Sequence, residues 1–484
     1  MKGGQNRKHG VILGIDLGTT TVKVSVIDAV TKRVATNQSY SQKTFADVPN
    51  LPPGFSEQYV EKIWTALNIL LAEIGPHTLS NVIAVGICGQ QHGVMLWKRK
   101  AAWSNVTLTK FTALSDICEF SNLITWQDQR CTKDFLETLP KPQPDQVLAT
   151  GYGSCSLFWL QKNDPAVLEY YSEAGTIMDF IACLLTNSKS AVISPHNAES
   201  WGFFDRHSRS WNTKILTENQ FPVGLLPLVC NTTILGVLRP GSSFHGMNRD
   251  RQTIPVSVAM GDLQTSFIAT VAKDTDAVLN FSTSSQISFI RSRADLVIPS
   301  ACDVRSYFSS TSGKPSHSGR ELVVAPSLNG GNVLTFFVKT LLDWIGQFDL
   351  DFSEDVIWSK IISAANSEDW TTSDDPTIRP TIYAERFDSN LRASVEGLSL
   401  ENVKLGFVTR GFLKGVIENL AVMLPPQILL QSSIDRIVLT GSLFKKFPQL
   451  CRYVTKVFGL PVVVQEEEGR DAAFGAALAV SLSL

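Results

Sequence analysis

The sequence predicts an α/β protein built from two similar domains. Apolar, β-branched runs typical of strands alternate with segments of helical periodicity. One such run in each half of the chain ends in an aspartate, at residues 11–16 and 256–262, and a Thr/Ser-rich turn lies near each. A chain of 484 residues is also too long for one hydrophobic core. We expect two domains, 1–250 and 251–484, that face each other across a catalytic cleft.

The chain begins with an apolar strand at residues 11–16, a tight turn and a second strand at residues 21–28. A plain β-hairpin is one interpretation, in which Asp16 and Gly18 serve only the turn. The other is a phosphate loop. In that interpretation, backbone N–H groups and the hydroxyls of Thr19 and Thr20 face an anion, while Asp16 holds a hydrated divalent cation. The motif by itself leaves both interpretations open.

A helix is predicted between two weak strands, near residues 33–40 and 82–87. The apolar positions from Val60 to Ile74 recur with a 3.6-residue period, and Gly75-Pro76 is predicted to end the helix. Strands followed by a helix and another strand are the expected order in an α/β domain.

Polar side chains follow two consecutive strands of the first half. Gln91 and His92 lie between glycines after the strand 83–88. The strand 123–126 ends at Trp126 and is followed by a polar segment that contains Asp128. Amides and imidazoles both donate and accept hydrogen bonds, as sugar hydroxyls do. A solvated hairpin tip would explain one such loop, but two in succession favour a shared pocket. The polar loop 195–202, within a mostly helical region from 132 to 231, is a possible third wall.

The second half begins after a region of Gly, Pro and Ser at residues 236–255 that is typical of a linker. An apolar run then ends at Gly261 and Asp262. In open α/β sheets ligands bind beyond the carboxyl ends of the strands, where Asp262 would serve as a general base. A helix N-cap is the alternative. The strand 277–281 is followed by a hydroxyl-rich turn that contains Thr283.

Two further turns have features of nucleotide contacts. Gly330, Gly331 and Asn332 open a long helix and would permit close approach of a flat ring or a phosphate, although they also suffice to begin a helix without a ligand. Gly441 follows the strand 434–440 at a turn into another helix.

Composition excludes several classes of function. The formal net charge of −2 gives no basic surface for nucleic acid. The eight cysteines are scattered without C-x-x-C spacing, which favours reduced thiols in the cytoplasm over a zinc site or disulfides. No apolar stretch is long enough to span a membrane, and the short basic N-terminal tail does not read as a signal peptide. We expect no nucleic-acid or membrane partner, and the sequence does not predict an oligomeric state.

Taken in order, these motifs resemble the FGGY carbohydrate kinases, whose fold consists of two actin-like (ribonuclease H-like) domains. The similarity covers nearly the whole chain. The segments similar to the family's two phosphate segments are Gly14–Thr20 and Gly261–Gln264. Those similar to its sugar-binding segments are Gly89–Gly93 and Trp126–Arg130, and those similar to its adenosine segments are Leu328–Asn332 and Leu439–Ser442. The chain departs from the family in two places. Ser282–Ser285 stands where the family often has a glycine, and the loop at Gly441 has only one glycine.

The resemblance implies ATP- and Mg²⁺-dependent transfer of a phosphoryl group to a ketose. It assigns Asp262 as the general base and Asp16 as the residue that holds the cation through water. The implied sugar contacts are Gln91, His92, Trp126, Asp128 and Gln264. The implied phosphate and nucleotide contacts are Gly18, Thr19, Thr20, Thr283, Gly330, Gly331, Asn332 and Gly441.

Within the family, the stretches 125–130, 197–202, 261–266 and 327–332 are most similar to members that phosphorylate sedoheptulose, a seven-carbon ketose, for the pentose phosphate pathway. Members that act on xylulose are the alternative. Relatives of another class, which only bind sugar or hydrolyse ATP as a switch, would not need both Asp262 and the Gln91–His92 wall.

Overall fold

The computed structural model describes residues 10–109, 112–143, 146, 148–239, 244–247, 253–292, 296–307, 320–367, 370, 374–388, 390–465 and 469–484. The α/β fold class is confirmed. The helices are α1 Val60–Leu79, α2 Leu114–Ile117, α3 Lys133–Thr138, α4 Gly153–Asn163, α5 Pro165–Tyr170, α6 Ile177–Thr186, α7 Pro195–Glu199, α8 Thr213–Glu218, α9 Asp262–Thr270, α10 Gly331–Gly346, α11 Glu354–Asn366, α12 Leu405–Met423, α13 Pro426–Gln431, α14 Ser442–Lys446, α15 Gln449–Phe458 and α16 Ala472–Ser481.

The strands of the first half and of the linker region are β1 Val11–Leu17, β2 Thr21–Asp28, β3 Val34–Lys43, β4 Glu57–Gln58, β5 Val82–Gly89, β6 Met95–Arg99, β7 Cys118–Phe120, β8 Leu123–Ile124, β9 Glu173–Gly175, β10 Val192–Ile193, β11 Phe204–Asp205, β12 Ser210–Trp211, β13 Leu228–Val229 and β14 Ile234–Val237. Those that follow are β15 Pro255–Ser257, β16 Met260–Gly261, β17 Asp276–Phe281, β18 Ser285–Arg291, β19 Asp303–Ser306, β20 Glu321–Ser327, β21 Thr377–Arg379, β22 Ser394–Glu396, β23 Arg436–Thr440 and β24 Val462–Val464.

The chain divides into two compact units. The first comprises the described residues within Met1–Ala269, Ser306–His317 and Glu468–Leu484, and the second those within Thr270–Arg305 and Ser318–Glu467. The predicted boundary between residues 250 and 251 lies outside the described residues. The observed division comes later, between Ala269 and Thr270 at the end of α9, so Asp262 belongs to the first unit. The C-terminal helix α16 also belongs to the first unit because it packs on β1 and β5.

The main sheet of the first unit has the strand order β14-β15-β5-β1-β2-β3, with β16 also paired to β5. The β1–β5 pair is parallel, whereas β1–β2 and β2–β3 are antiparallel. Strands β1 and β5 are buried along most of their length because both faces of the sheet are covered. The strands predicted near residues 11–16, 21–28, 33–40 and 82–87 are therefore confirmed.

Three glycines bring α16 unusually close to the sheet. A Cβ atom at Gly14 of β1 would lie 1.9 Å from the carbonyl oxygen of Ala473, and one at Gly86 of β5 would lie 2.1 Å from that of Ala476. On the other side of the helix, a Cβ at Gly475 would lie 1.8 Å from the carbonyl oxygen of Thr265 in α9. No side chain fits at these contacts, so the glycines fix α16 between β1, β5 and α9.

Two predicted elements differ from the structure. The first is α1, which was predicted to end at Gly75-Pro76; instead it is only kinked at Gly75 (φ 79°), and a further helical turn continues to Leu79. The second is the polar segment 195–202, predicted as a loop, whose first part is the short helix α7 with Pro195 at its first turn. In its described part, the region from 132 to 231 contains the short strands β9–β13 as well as the helices α3–α8, so the mostly helical prediction was incomplete.

The second unit repeats the arrangement at the centre of the first. Its sheet has the order β19-β20-β18-β17-β23-β24. Strand β17 pairs antiparallel with β18 and parallel with β23, just as β1 pairs with β2 and β5. The predicted similarity of the two domains is thus present in strand pairing. Among the described residues, no helix combines the length and the apolar character needed to cross a membrane.

Candidate active site

Two carboxylates lie at the same edge of the first unit's sheet, on either side of the central strand β5. Asp16 on β1 and Met260 on β16 both pair with Cys88 of β5. Asp262 begins α9 immediately after Gly261. Because neighbouring strands are about 4.8 Å apart, the backbones that carry the two carboxylates are separated by about 10 Å. The structure therefore brings the predicted cation residue and the predicted base to one place.

Asp16 is a buried carboxylate, and one of its oxygens accepts no hydrogen bond from the described residues. Its side chain is 6% exposed, and among the described residues Oδ1 has no hydrogen-bond partner. Burial raises the pKa of this carboxyl to about 8, and the negative charge of Asp262 adds to the rise, while Lys23 opposes it. A buried carboxylate oxygen without a donor is costly unless a cation or water meets it. The residue therefore fits a hydrated divalent cation, which prefers such oxygen ligands.

Asp262 is partly exposed at the start of α9. Burial raises its pKa from 3.8 to about 6, against the effects of backbone N–H groups and of Lys23. One of these N–H groups belongs to Leu263 and donates to Oδ1 at 2.7 Å. A carboxyl with a pKa of about 6 is ionised at neutral pH, yet is more basic than an ordinary aspartate. These properties suit a general base.

Lys23 is a charged neighbour of both carboxylates that the sequence analysis did not single out. It pairs with Asp16 across the β1–β2 hairpin. Its ammonium group lies 3.7 Å from Asp471, whose side chain caps the N-terminus of α16 by accepting from the Phe474 N–H. Lys23 lowers the pKa of both Asp16 and Asp262. The signal was available in the hairpin register, which places residue 23 opposite residue 16.

The predicted phosphate loop is a tight turn between β1 and β2. A Cβ at Gly18 would lie 2.8 Å from the carbonyl oxygen of Thr21, so the turn has no space for a side chain there. Thr20 is exposed. Thr19 accepts a hydrogen bond at Oγ1 from the indole N–H of Trp126, at 2.9 Å. The predicted phosphate loop and one predicted sugar residue are thus in direct contact.

Gln58 joins this loop to the predicted sugar wall. Its Nε2 donates to the carbonyl of Thr19 at 2.7 Å, and its Oε1 accepts from Gln90 at 3.0 Å. Gln58 was not predicted as a site residue, because a single glutamine in the two-residue strand β4 has no pattern that points to the site.

Gln91 and His92 form the predicted wall next to α7. Gln91 donates through Nε2 to Oδ1 of Asn197 at 3.0 Å. His92 bonds through Nδ1 to the carbonyl oxygen of Ser200 at 2.9 Å and stacks on the ring of Tyr152, with 4.7 Å between centroids. Its φ of 71° lies in the left-handed region, which a residue other than glycine seldom adopts outside a constrained or functional segment.

The other predicted sugar residues differ in accessibility. Trp126 is 36% exposed. Gln264 is buried on α9, close in sequence to Asp262. Asp128 is fully buried, and both of its carboxylate oxygens already accept hydrogen bonds, from Arg130 and from the Ser56 N–H. This pairing favours a supporting role for Asp128, which would order the 125–130 segment without touching the sugar.

In the second unit, the hydroxyl-rich turn contacts the glycine pair that begins α10. Thr283 is exposed, and its carbonyl accepts from the Asn332 N–H at 2.9 Å. A Cβ at Gly330 would lie 2.4 Å from the carbonyl carbon of Ser284, and one at Gly331 would lie 2.8 Å from the Ser282 oxygen. The described turn from Ser282 to Ser285 contains no positive φ, which explains why serine replaces glycine there without strain.

Gly441 lies beside the same turn. It has a φ of 110°, and its Cβ would lie 2.1 Å from the carbonyl oxygen of Phe281. Parallel pairing of Asn280 with Thr440 brings the two loops together at the carboxyl ends of β17 and β23. One glycine is therefore needed at this position, on both steric and conformational grounds.

Glu385, which was also not predicted, orders the segment before Gly330. Glu385 is 1% exposed and accepts hydrogen bonds at Oε1 and Oε2 from four donors: Ser327 Oγ, Leu328 N, Asn329 Nδ2 and Asn419 Nδ2. Four donors on one buried carboxylate compensate for its desolvation. No spacing in the sequence points to this cluster, because its members are brought together only by the fold.

Comparisons with known proteins identify the family of this chain. The family model for the N-terminal domain of the FGGY family of carbohydrate kinases matches residues 11–269. The chain is 36% identical to the sedoheptulokinase of Homo sapiens over 483 residues, which cover 97% of this chain and 96% of that protein. The corresponding protein of Mus musculus is 35% identical over 481 residues, with the same coverage.

Solved structures show the same fold at lower sequence identity. The xylulose kinase of Rhodospirillum rubrum superposes with a TM-score of 0.75 at 18% identity and covers 97% of this chain and 89% of its own. The glycerol kinase of Plasmodium falciparum, solved with ADP, superposes with a TM-score of 0.73 at 17% identity and the same coverage. On the family match, the near full-length similarity and the shared fold, this chain belongs to the FGGY family of carbohydrate kinases.

Proposed function

We propose that the protein transfers the γ-phosphoryl group of ATP to the terminal hydroxyl of sedoheptulose and produces sedoheptulose 7-phosphate. The observation that carries the chemistry is the pair Asp16 and Asp262, held on either side of β5 with the pKa of Asp262 raised to about 6. The substrate is inferred from the relatives named sedoheptulokinase, which match over almost their whole length. The solved xylulose kinases are only 17–19% identical.

In this proposal Asp262 accepts the proton of the attacking hydroxyl. The sugar oxygen forms a bond to the γ-phosphorus, the bond from that phosphorus to the β–γ bridging oxygen breaks, and ADP leaves with the electron pair. A positioned base of this kind contributes about 10²–10⁴-fold to the rate. Gln91, His92, Trp126 and Gln264 are assigned to the sugar, with Asp128 held behind them.

Mg²⁺ fits the site because Asp16 presents a buried oxygen without a described donor. When bound, the cation would neutralise charge on the phosphates, as in other phosphoryl-transfer enzymes. Asp16 would hold it through water. The residues assigned to the phosphates and the nucleotide are Gly18, Thr19, Thr20, Thr283, Gly330, Gly331, Asn332 and Gly441. The contacts between the Ser282–Ser284 turn, Gly330 and Gly441 support a single nucleotide-binding surface on the second unit.

The test is ADP release by the purified protein with ATP, Mg²⁺ and a panel of sedoheptulose, D-xylulose, D-ribulose and glycerol. The proposal predicts the highest kcat/KM with sedoheptulose. A higher kcat/KM with D-xylulose would leave the proposed phosphoryl transfer in place but would overturn sedoheptulose as the substrate. ADP release that no acceptor stimulates would instead favour an ATPase switch, and sugar binding without ADP release would favour a sugar-binding relative.

The same proposal places the protein in the cytoplasm, where its product would feed the pentose phosphate pathway. Its partners would be a ketose and a nucleotide, without nucleic acid or membrane.

A further inference from the structure

The short helix α7 carries buried polar side chains whose hydrogen bonds run to the site. His196 and Asn197 are 2% and 0% exposed. Asn197 bonds to Gln91 on one side and to the carbonyl of Ala259 on the other, and His196 bonds to the N–H of Gly261. Burying polar groups is costly unless their partners are well placed. These two side chains therefore connect the predicted sugar wall with the segment that leads into Asp262.

The hydrogen bonds of Asn197 determine how the amide of Gln91 is oriented. The Ala259 carbonyl can only accept, so Asn197 must direct its Nδ2 toward it, at 3.2 Å. Its Oδ1 then faces Gln91, at 3.0 Å, and Gln91 must use its Nε2 as the donor. Among the residues that the structure describes, none donates to Oε1 of Gln91. The amide is thus held with a carbonyl oxygen available to accept from a ligand hydroxyl.

His196 acts on the peptide that precedes Asp262. The Gly261 N–H donates to Nε2 of His196 at 2.8 Å. This bond requires Nε2 to be unprotonated, so the imidazole cannot be in its doubly protonated form while the bond exists. Gln91 packs on the same peptide, since a Cβ at Gly261 would lie 2.1 Å from Cδ of Gln91.

We infer that α7 is the positioning element of the site, in which Asn197 fixes Gln91 as a hydrogen-bond acceptor for the sugar and His196 anchors the backbone that carries Asp262. The inference rests on the proposed roles of Gln91 and Asp262. Neither α7 side chain touches the reacting atoms, so both are positioning residues. Because they act on different groups, their loss affects different kinetic constants.

Asn197→Leu tests the first half of the inference. Leucine has a similar size but leaves Gln91 free to rotate. We expect the KM for sedoheptulose to rise about 10-fold, the order expected when a buried amide loses its partners, with the KM for ATP unchanged. In a Gln91→Ala background the same substitution should have no further effect on the sugar KM. Additive effects of the two substitutions, or an equal rise in the KM for ATP, would overturn the inference.

Asn402→Leu provides a matched control. Asn402 is also a buried amide, and its described hydrogen bonds join it to the backbone of Ser399 and Gly397 in the second unit. This variant should lose stability without a change in the sugar KM. If Asn197→Leu does not fold, Asn197→Ala removes both hydrogen bonds without adding volume or charge and should raise the sugar KM in the same direction.

Substitutions of His196 test the second part of the inference, that His196 anchors the backbone that leads into Asp262. His196→Leu fills the space without an acceptor, and we expect kcat to fall about 10-fold with the sugar KM unchanged. His196→Gln places an acceptor near the former position of Nε2 and should recover most of kcat. Equal losses in the two variants would show that only the volume of the imidazole matters and would overturn the positioning role.

Gln91→Ala alone separates this inference from the proposed function. An unchanged sugar KM in that variant would remove Gln91 from the sugar site and would overturn both. A raised sugar KM, combined with additivity of Asn197→Leu, would overturn the role of Asn197 alone.

Discussion

Replacement of Asp262 by asparagine should abolish turnover and at the same time stabilise the protein at alkaline pH. The loss of turnover follows from the removal of the base. We expect kcat to fall by about 10²–10⁴, or about 3–5 kcal/mol of transition-state stabilisation. Asparagine keeps the shape and an oxygen to accept from the Leu263 N–H, so sugar binding should be largely retained.

The gain in stability follows from the raised pKa. Burial raises the pKa of Asp262 from 3.8 to about 6, so the folded state binds a proton more tightly than the unfolded chain. Stability therefore falls as pH rises from about 4 to 6, and above this range the ionised carboxylate costs on the order of 3 kcal/mol. An asparagine at this position does not titrate. The variant should accordingly melt a few degrees higher than the wild type at pH 8 and at about the same temperature at pH 4.

The assay is thermal unfolding of both proteins at pH 4, 6 and 8 without ligands, together with turnover at pH 8. Asp276→Asn is a matched control with the opposite sign. Burial would raise the pKa of Asp276, but hydrogen bonds from Arg436 and from two backbone N–H groups outweigh it and lower the pKa. Asp276→Asn should therefore destabilise the protein at pH 8, because it removes a carboxylate whose ionised form is stabilised in the folded state. Retained turnover in Asp262→Asn, or a lower melting temperature at pH 8, would refute the reasoning.

Three further predictions concern the charge on Asp262, the packing of α16 and the contact of Trp126. The value of kcat/KM should fall below about pH 6 as one group is protonated, because Asp262 must be ionised to act as the base. Lys23→Met removes a positive charge that lowers the pKa of Asp262, so this fall should begin at a higher pH. An unchanged pH profile in Lys23→Met would exclude Lys23 as a charge partner. Gly475→Ala should destabilise the protein by about 2 kcal/mol or more in urea unfolding, because its Cβ would lie 1.8 Å from the Thr265 oxygen; unchanged stability would show that α16 can shift. Trp126→Phe removes the indole hydrogen bond to the phosphate loop and should raise the KM values for both substrates a few-fold, whereas a change for sugar alone would contradict the contact.

Much of the fold could be predicted because its signals are local. The strand patterns of β1, β2 and β5 and the apolar face of α1 follow directly from periodicity in the sequence. The division between the two units could not be predicted in this way. The Gly/Pro/Ser-rich region before β15 has the composition of a linker, yet β15 and β16 join the sheet of the first unit by pairing with β5.

The site shows a similar contrast. Asp16 and Asp262 could be predicted because each follows an apolar strand, and the ends of such strands meet at one edge of a sheet. The buried carboxylate Glu385 was missed, since its role depends on packing between distant segments. Lys23 was also missed, although the register of the β1–β2 hairpin places it opposite Asp16. Asp128 shows how packing bears on a role that was predicted from a motif. Its position in a polar motif suggested a sugar contact, but Arg130 already occupies its oxygens.

The central claim is that the chain phosphorylates the terminal hydroxyl of sedoheptulose. Its most direct test is the structure of the product formed from sedoheptulose, ATP and Mg²⁺, determined by mass spectrometry and by phosphorus–carbon coupling in NMR spectra. We predict a single monophosphate with the phosphorus bonded to the oxygen on C7. A phosphate on another carbon, or ADP and inorganic phosphate without a sugar phosphate, would contradict the claim.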